Sequence, residues 1–568
     1  MRRRSRTTLA VAAAALTTLA CTTAATPAAA ADPAYDVLVF SKTAGFRHDS
    51  IAAGVQAIRD LGAANNFTVT ATEDAAAFTG ANLARFETVV FLNTTGDVLD
   101  AGQQSAFEAY VRGGGGYTGV HAAADTEYDW PFYGQLVGAY FASHPAVQQA
   151  TVKVEDRAHA ATAHLPQTWP RTDEWYDYRT NARDTAHVLA TLDEASYSGG
   201  RMGADHPHAW CKTVDAGRSF YTGGGHTQSA YSEPAFRAHL LGGLRYTARR
   251  THADCRPETG YTALYNGSTA GWSQAGPGAF TSTDATLTST GGMGLYWYSA
   301  KQFTNYSLKL DWRLAGDDNT GVFVGFPPSS DPWSAVNNGY EIQIDATDAA
   351  DRTTGAVYGF KAADIAARDA GLNPPGEWNT YEIRVEGERL QLFLNSVKIN
   401  DYTNTDPVRS LAGHIGIQNH GDGDEASFRN IRVKELGGGT GGAGPVVGLA
   451  GKCLDVSNGG SADGTKIQLW ACNGSGAQNW QVSGQVWRNP QSGKCLDVAG
   501  GGTANGTRAQ LWTCNGTGAQ NWVAQADGTV RNPQSGRCLD VSQNSSADGQ
   551  QIHIWDCHTG ANQRWRLP

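Results

Sequence analysis

Three histidines in the first 250 residues follow short apolar runs, where strand ends could bring them together. His48 comes soon after VLVF (37–40), His121 closes YTGVH (117–121), and His226 follows SFYTGGG (219–225). Near neutral pH an imidazole serves as a base or a metal ligand. The stretch GGGGYTGVHAAADTEYDW (113–130) reads as a glycine run, a short strand, a sharp turn and a helix start. Hydrolases place a nucleophilic serine at such a strand-to-helix turn; this chain places His121 there. Asp125 and Glu174 are the carboxylates available to join the three histidines. A metal centre and a polar sugar cleft both fit the set. No cofactor is demanded, though the histidines would accept a divalent metal of unspecified identity. Trp130, Tyr133, Trp175 and Tyr176 could supply stacking walls, with two of the four expected in the core.

A second cluster lies on one strand. In GYEIQIDA (339–346), Tyr340, Ile342 and Ile344 point one way, and Glu341, Gln343 and Asp345 the other, because strand side chains alternate. The two carboxylates then stand about 7 Å apart on one face. Two acids flanking an amide suit general acid/base work or recognition of sugar hydroxyls. GHIGIQNHG (413–421) alternates in the same way and puts His420 on the face of Gln418, while Gly321 in DNTGVFVGF leaves room for a ligand. The candidate catalytic set is Glu341, Gln343, Asp345 and His420. Asp422, Asp424 and Glu425 could hold a cation, but a solvated acidic loop is the simpler expectation.

A third pattern is an internal triplication. KCLDV (452–456), KCLDV (494–498) and RCLDV (537–541) recur at steps of 42 and 43 residues, and each has a second cysteine nineteen positions on. A unit of this length cannot bury its own core, whereas three around a pseudo-threefold axis can. The equal spacing predicts local disulfides Cys453–Cys472, Cys495–Cys514 and Cys538–Cys557, each contributing about 3 kcal/mol. Each repeat ends in Gln-x-Trp, and those tryptophans are expected in the core.

The elements that must position these groups follow from periodicity. Ile51, Val55, Ile58 and Leu61 have helical spacing, FTVTAT (67–72) and TVVFLN (88–93) read as strands, and Asp100 with Gln103 forms a capping pair. Strand and helix in alternation predict a doubly wound parallel α/β sheet, which binds ligands beyond the carboxyl ends of its strands. NYSLKLDWRL (305–314) and TYEIRVEGERLQLFLNSVKI (380–399) alternate as strands of an all-β unit. THADCRPETG (251–260) and GGGTGGAG (437–444) break the pattern. The chain therefore divides into 35–250, 258–436, a glycine-rich linker at 437–444, and 445–568.

The 568 residues carry a formal net charge of -10 with 16 Trp, 21 Tyr and 68 Gly. Without basic blocks beyond the amino terminus, the chain is not expected to bind nucleic acid. Aromatic, glycine-rich, weakly charged composition suits β-rich modules that stack on sugars, so oligo- or polysaccharide is the expected partner. Residues 1–31 read as a secretory signal peptide, its arginines hinting at the twin-arginine route and Cys21 raising a lipoprotein alternative. No later run approaches the ~20 apolar residues of a membrane span. The mature chain is expected to be secreted and extracellular. Setting Cys21 aside leaves eight cysteines, as an oxidising compartment favours, with Cys211 and Cys255 as the fourth pair.

These motifs resemble three families. VLVFSKTAGFRHDSI, GGGGYTGVHAAAD and GRSFYTGGGHTQSAYSEPAFRAHLLGGLRYTA resemble the trehalose-utilisation, or ThuA-like, family, which implies a class I glutamine amidotransferase-like fold with His at the turn. LKLDWRL, NTGVFV, NGYEIQID, TGAVYGF, GEWNTYEI, GHIGIQNHG and FRNIRVKEL are similar to the 3-keto-disaccharide hydrolase family, a concanavalin-like jelly-roll. That resemblance implies cleavage of glycosides oxidised at C3. Gly325 and Asn419 depart from it where Arg and Asp are usual. The triplication resembles a ricin-type β-trefoil lectin. It implies sugar pockets at Asp540, His553, Trp555, Asn562 and Gln563, at Asp455, Gln468 and Trp470, and at Asp497, Gln510 and Trp512. Ala477 and Ala519 replace the Asn in the first two repeats, a loss of about 1 kcal/mol or more per site, so the third pocket is expected to be strongest. The whole reads as a carbohydrate-active glycoside hydrolase with a targeting lectin. The alternatives are a non-catalytic glycan-binding scaffold, or a metal-dependent sugar-processing enzyme with its site in the first module.

Overall fold

A computed structural model describes residues 31–406, 408–436, 444–483, 485–525 and 528–567. The signal-peptide stretch 1–30 with Cys21, and linker residues 437–443, lie outside the described residues.

The first module is built on a nine-stranded sheet. Its order is Phe67–Thr72, Tyr35–Phe40, Thr88–Leu92, Gly116–Val120, Gly217–Thr222, Pro207–Val214, His187–Leu192, Gln148–Val154 and Thr168–Asp173. The first five strands are parallel, as the alternating pattern predicts. The remaining four continue the sheet antiparallel, which the sequence reading did not anticipate. Short connections such as Asp215–Ala216 allow only a hairpin between neighbouring strands, and a hairpin pairs them antiparallel. The helix Ile51–Ala64 buries Ile51, Ile58 and Leu61 against the sheet. Asp100 and Gln103 form the reciprocal capping box that opens Ala101–Arg112.

The second module packs two antiparallel sheets around Leu308, Leu310, Ile342, Ile344, Ile383 and Ile417. Tyr340–Asp345 is an edge strand of the five-stranded sheet, beside Asn319–Phe326. The outer face of the other sheet leans on the first module. Lys309 lies there between Asp254 at 3.0 Å and Glu258 at 2.9 Å, and Arg432 pairs with Glu258. Cys211–Cys255 ties the connecting segment back to the first sheet.

The third module has threefold internal repetition. Trp480, Trp522 and Trp565 are buried, and their indole N–H groups donate to the carbonyls of Leu454, Leu496 and Leu539 at 2.9, 3.0 and 2.9 Å. Cys453–Cys472, Cys495–Cys514 and Cys538–Cys557 each bridge one repeat.

Gly325 is explained by backbone rather than by lost chemistry. Its φ is +74°, it sits at an irregularity in the pairing with His414–Asn419, and a Cβ there would run into the Ser410 carbonyl. No arginine fits this backbone. Gly325→Ala should destabilise the module by well more than the about 1–3 kcal/mol of left-handed strain alone. Gly359→Ala, with φ +72° but open space around it, should cost only that strain. Scanning calorimetry of the two variants checks the difference.

Candidate functional sites

His121 sits where the Gly116–Val120 strand turns into a short 3-10 helix, with a φ of +50°. Its Nδ1 lies 2.8 Å from the Gly223 carbonyl oxygen. A carbonyl only accepts, so Nδ1 carries the proton and Nε2 presents a lone pair in the neutral ring. That Nε2 is 3.2 Å from His226 Nδ1 and 3.4 Å from Glu174 Oε2, and His226 Nδ1 is 3.1 Å from the same oxygen. His48 closes the group, its ring centroid 5.0 Å from that of His121 and 5.1 Å from that of His226. One ligand atom from each of His48, His121, Glu174 and His226 falls within 4.8 Å of all the others.

Electrostatics follow from burial. Burial, then the neighbouring imidazoles of His121 and His226, push His48 down to about 3, so it is neutral. Burial raises Glu174, but the neighbouring imidazoles of His121 and His226 outweigh it and hold this carboxyl well below the usual range. The bond to Glu174 raises His226.

Asp125 does not join the cluster; it accepts the Tyr128 hydroxyl at 2.6 Å instead. Trp130, Tyr133 and Trp175 are core rather than walls, and Tyr176 packs on His121 with centroids 4.1 Å apart. Three further residues contribute that the sequence pattern does not mark. His144 lies 2.9 Å from Glu174 Oε1. Asp173 accepts the amides of Gly225, His226 and Thr227 at 2.8, 3.1 and 3.2 Å, which fixes the loop carrying His226. Phe46 is 67% exposed beside His48. The adjacent pair Asp173–Glu174 was the available signal for the second of these.

In the second module Glu341, Gln343 and Asp345 share a face, opposite Phe323, Gly321 and Asn319. The Glu341 carboxyl fills the space left by the missing side chain of Gly321. Burial raises it to about 8, opposed only by a hydrogen bond with Gln418. The side-chain oxygens of Gln343 and Gln418 are buried without partners. Asp345 is committed: Oδ2 accepts from Asn319 at 2.7 Å, and Oδ1 from the amides of Thr347 and Asp348, each at 2.9 Å. His420 is half exposed and paired with Asp424 at 2.8 Å. Asp424 also accepts the Asn319 amide at 3.2 Å, which links His420 indirectly to Asp345.

Asn419 donates to the carbonyls of Thr290 and Gly291 at 2.9 and 2.7 Å. An aspartate would oppose oxygen to oxygen there, so this departure serves local structure. The loop at Asp422, Asp424 and Glu425 is not among the convergent ligand groups of the described residues. Asp422 accepts the Gly292 amide, and Asp424 is used as above.

The trefoil repeats each present one aspartate. Asp455 accepts from Gln468 at 2.9 Å and Gln478 at 3.1 Å; Asp497 accepts from Gln510 and Gln520 at the same distances. Burial raises both carboxyls despite those bonds. Asp540 receives three side chains: His553 at 2.9 Å, and Asn562 and Gln563 each at 2.8 Å. It opens onto a cavity of about 360 Å³ with His553, Trp555, His558 and Asn562. Trp470, Trp512 and Trp555 are exposed.

Residues 36–247 match the family model described as trehalose utilisation, ThuA. Residues 260–434 match the 3-keto-alpha-glucoside-1,2-lyase-like domain, and residues 442–565 the ricin-type beta-trefoil lectin domain. The chain carries ThuA-like, 3-keto-disaccharide hydrolase-like and ricin B-type modules in that order. No curated protein matches it. Similar solved structures include a protein from Bacteroides uniformis described as ThuA-like, 22% identical over 39% of this chain and 94% of its own, with a TM-score of 0.34. A protein from Parabacteroides distasonis described as a glycosyl hydrolase is 22% identical over 31% of this chain and 100% of its own, with a TM-score of 0.28. The C-half of an earthworm R-type lectin, solved with GalNAc, is 20% identical over 22% of this chain and 94% of its own, with a TM-score of 0.19.

The hydrolase-like module's buried acid has a measurable consequence. A carboxyl raised by folding contributes stability that is full below its unfolded value near 4.5 and is lost as pH rises through about 8. Glu341→Gln keeps the shape and removes the proton. The wild-type module should therefore lose a few kcal/mol more than the variant between pH 5 and pH 8.5, read from denaturant midpoints of the full chain.

Proposed function

We propose that this protein is a secreted carbohydrate-active hydrolase that cleaves a glycosidic bond in its middle module, while its trefoil holds it on oligo- or polysaccharide. The observation that carries the reading is Glu341, a buried acid tuned to about 8 beside two amide oxygens without partners. An acid titrating near working pH can both take and return a proton. Four disulfides support an oxidising, extracellular setting, and no helix among the described residues is long and apolar enough to cross a membrane.

A glycoside with a C3 ketone suits this tuning, because the ketone acidifies the neighbouring C2–H. Ionised Glu341 takes that proton and leaves an enolate. The C1–O bond then breaks, and Glu341 returns the proton to the departing oxygen. Water adds across the new C1=C2 bond, hydroxyl to C1 and proton to C2. Gln343 and Gln418 would orient the ring through its hydroxyls. Asp345 holds Asn319 in register, and His420 with Asp424 stands at the solvent side as the second base. Tethering by the lectin raises the local substrate concentration.

Glu341→Gln should cut sugar release from a 3-keto disaccharide by about 10²-fold or more while leaving polysaccharide pull-down intact. With wild type, kcat/KM should rise with pH through about 8 as the carboxylate forms. Unchanged turnover in the variant would leave a glycan-binding scaffold as the better description. Asp540→Ala should weaken retention on galactose- or xylan-type polysaccharide more than Asp455→Ala does; equal losses would contradict the ranking of the pockets.

A further inference from the structure

In the ThuA-like module three ligand atoms converge with too few protons between them. In its neutral ring His121 Nε2 has none, since Nδ1 holds the proton for Gly223. The Glu174 carboxylate has none. His226 Nδ1 can supply one, yet it faces both of the others, at 3.2 and 3.1 Å. A fourth group, His48, is 5% exposed, and its Nδ1 has no hydrogen-bond partner. Lone pairs gathered this closely out of water repel unless a cation lies among them.

The distances are those of a coordination shell. Around a tetrahedral zinc ion with ligands at about 2.0–2.1 Å, neighbouring donors lie about 3.3–3.4 Å apart. The three edges here are 3.1, 3.2 and 3.4 Å. Supporting contacts also fit a metal site, where outer partners orient each ligand. Gly223 fixes the His121 tautomer, His144 holds the second oxygen of Glu174, and Asp173 clamps the backbone at His226. His226 and His144 are 25% and 43% exposed, which leaves an ion a way in.

We propose that His48, His121, Glu174 and His226 form a binding site for one divalent first-row transition ion, zinc being the best match to three imidazoles and a carboxylate. The site stands apart from the Glu341 chemistry and does not depend on it.

The full-length chain, stripped with a chelator and titrated with Zn2+, should bind one equivalent, confirmed by elemental analysis after gel filtration. Glu174→Gln and His226→Ala should each weaken binding at least tenfold. His226 is partly exposed, so its removal should leave the circular dichroism spectrum and lectin retention unchanged. Co2+ in place of zinc should give visible ligand-field bands that both variants lose. Failure of the stripped wild type to take up stoichiometric zinc, or uptake unchanged in both variants, overturns the proposal.

Discussion

A carboxyl taken out of water must be answered by charge or by hydrogen bonds, or else it keeps its proton. This constraint shapes every site in the molecule. Asp173 is answered by four backbone amides and Arg171, and that fixes where His226 stands. Glu174 is answered by imidazoles and stays charged. Glu341 has one amide against nearly complete burial and stays neutral. The same side chain thus becomes an anion in one module and an acid in the next. Inside the trefoil the third repeat gives Asp540 an extra amide donor, Asn562, where the first repeat has Ala477.

The seam between the first two modules obeys the same rule. Lys309 lies between Asp254 and Glu258, and Arg432 reaches Glu258. Removing one partner from such a group strands a buried charge, which costs far more than the pair gains. Arg245 likewise reaches both Asp32 and Glu377, so the start of the described chain, the last helix of the first module and the second module meet at one guanidinium. With Cys211–Cys255 anchoring the connecting segment, these contacts give the two front modules a polar shared face.

Much of this was legible from residue order. The alternation in YEIQID placed three polar groups on one face, and the structure keeps them there. The cysteine spacing marked the disulfides, and Gln-x-Trp marked the buried indoles. Other roles were hidden because they depend on long-range neighbours. Asp345 looked like a free base until Asn319 and the following turn took both its oxygens. Asn419 stood out only as a departure from the usual Asp, but its amide holds two carbonyls from a loop far back in the chain. Asp125 lies four residues from His121, yet it serves Tyr128.

Local pattern alone determined the three modules, their order, the strand faces and the repeat. Those follow from side-chain period and spacing, which need only neighbours along the chain. Tertiary structure alone decided that His48, His121, Glu174 and His226 meet in one place, that His144 backs them, and that the first sheet continues antiparallel. It also decided which carboxyls are ionised. The reason is physical: burial and partner distance set a group's charge, and both come from residues tens to hundreds of positions away.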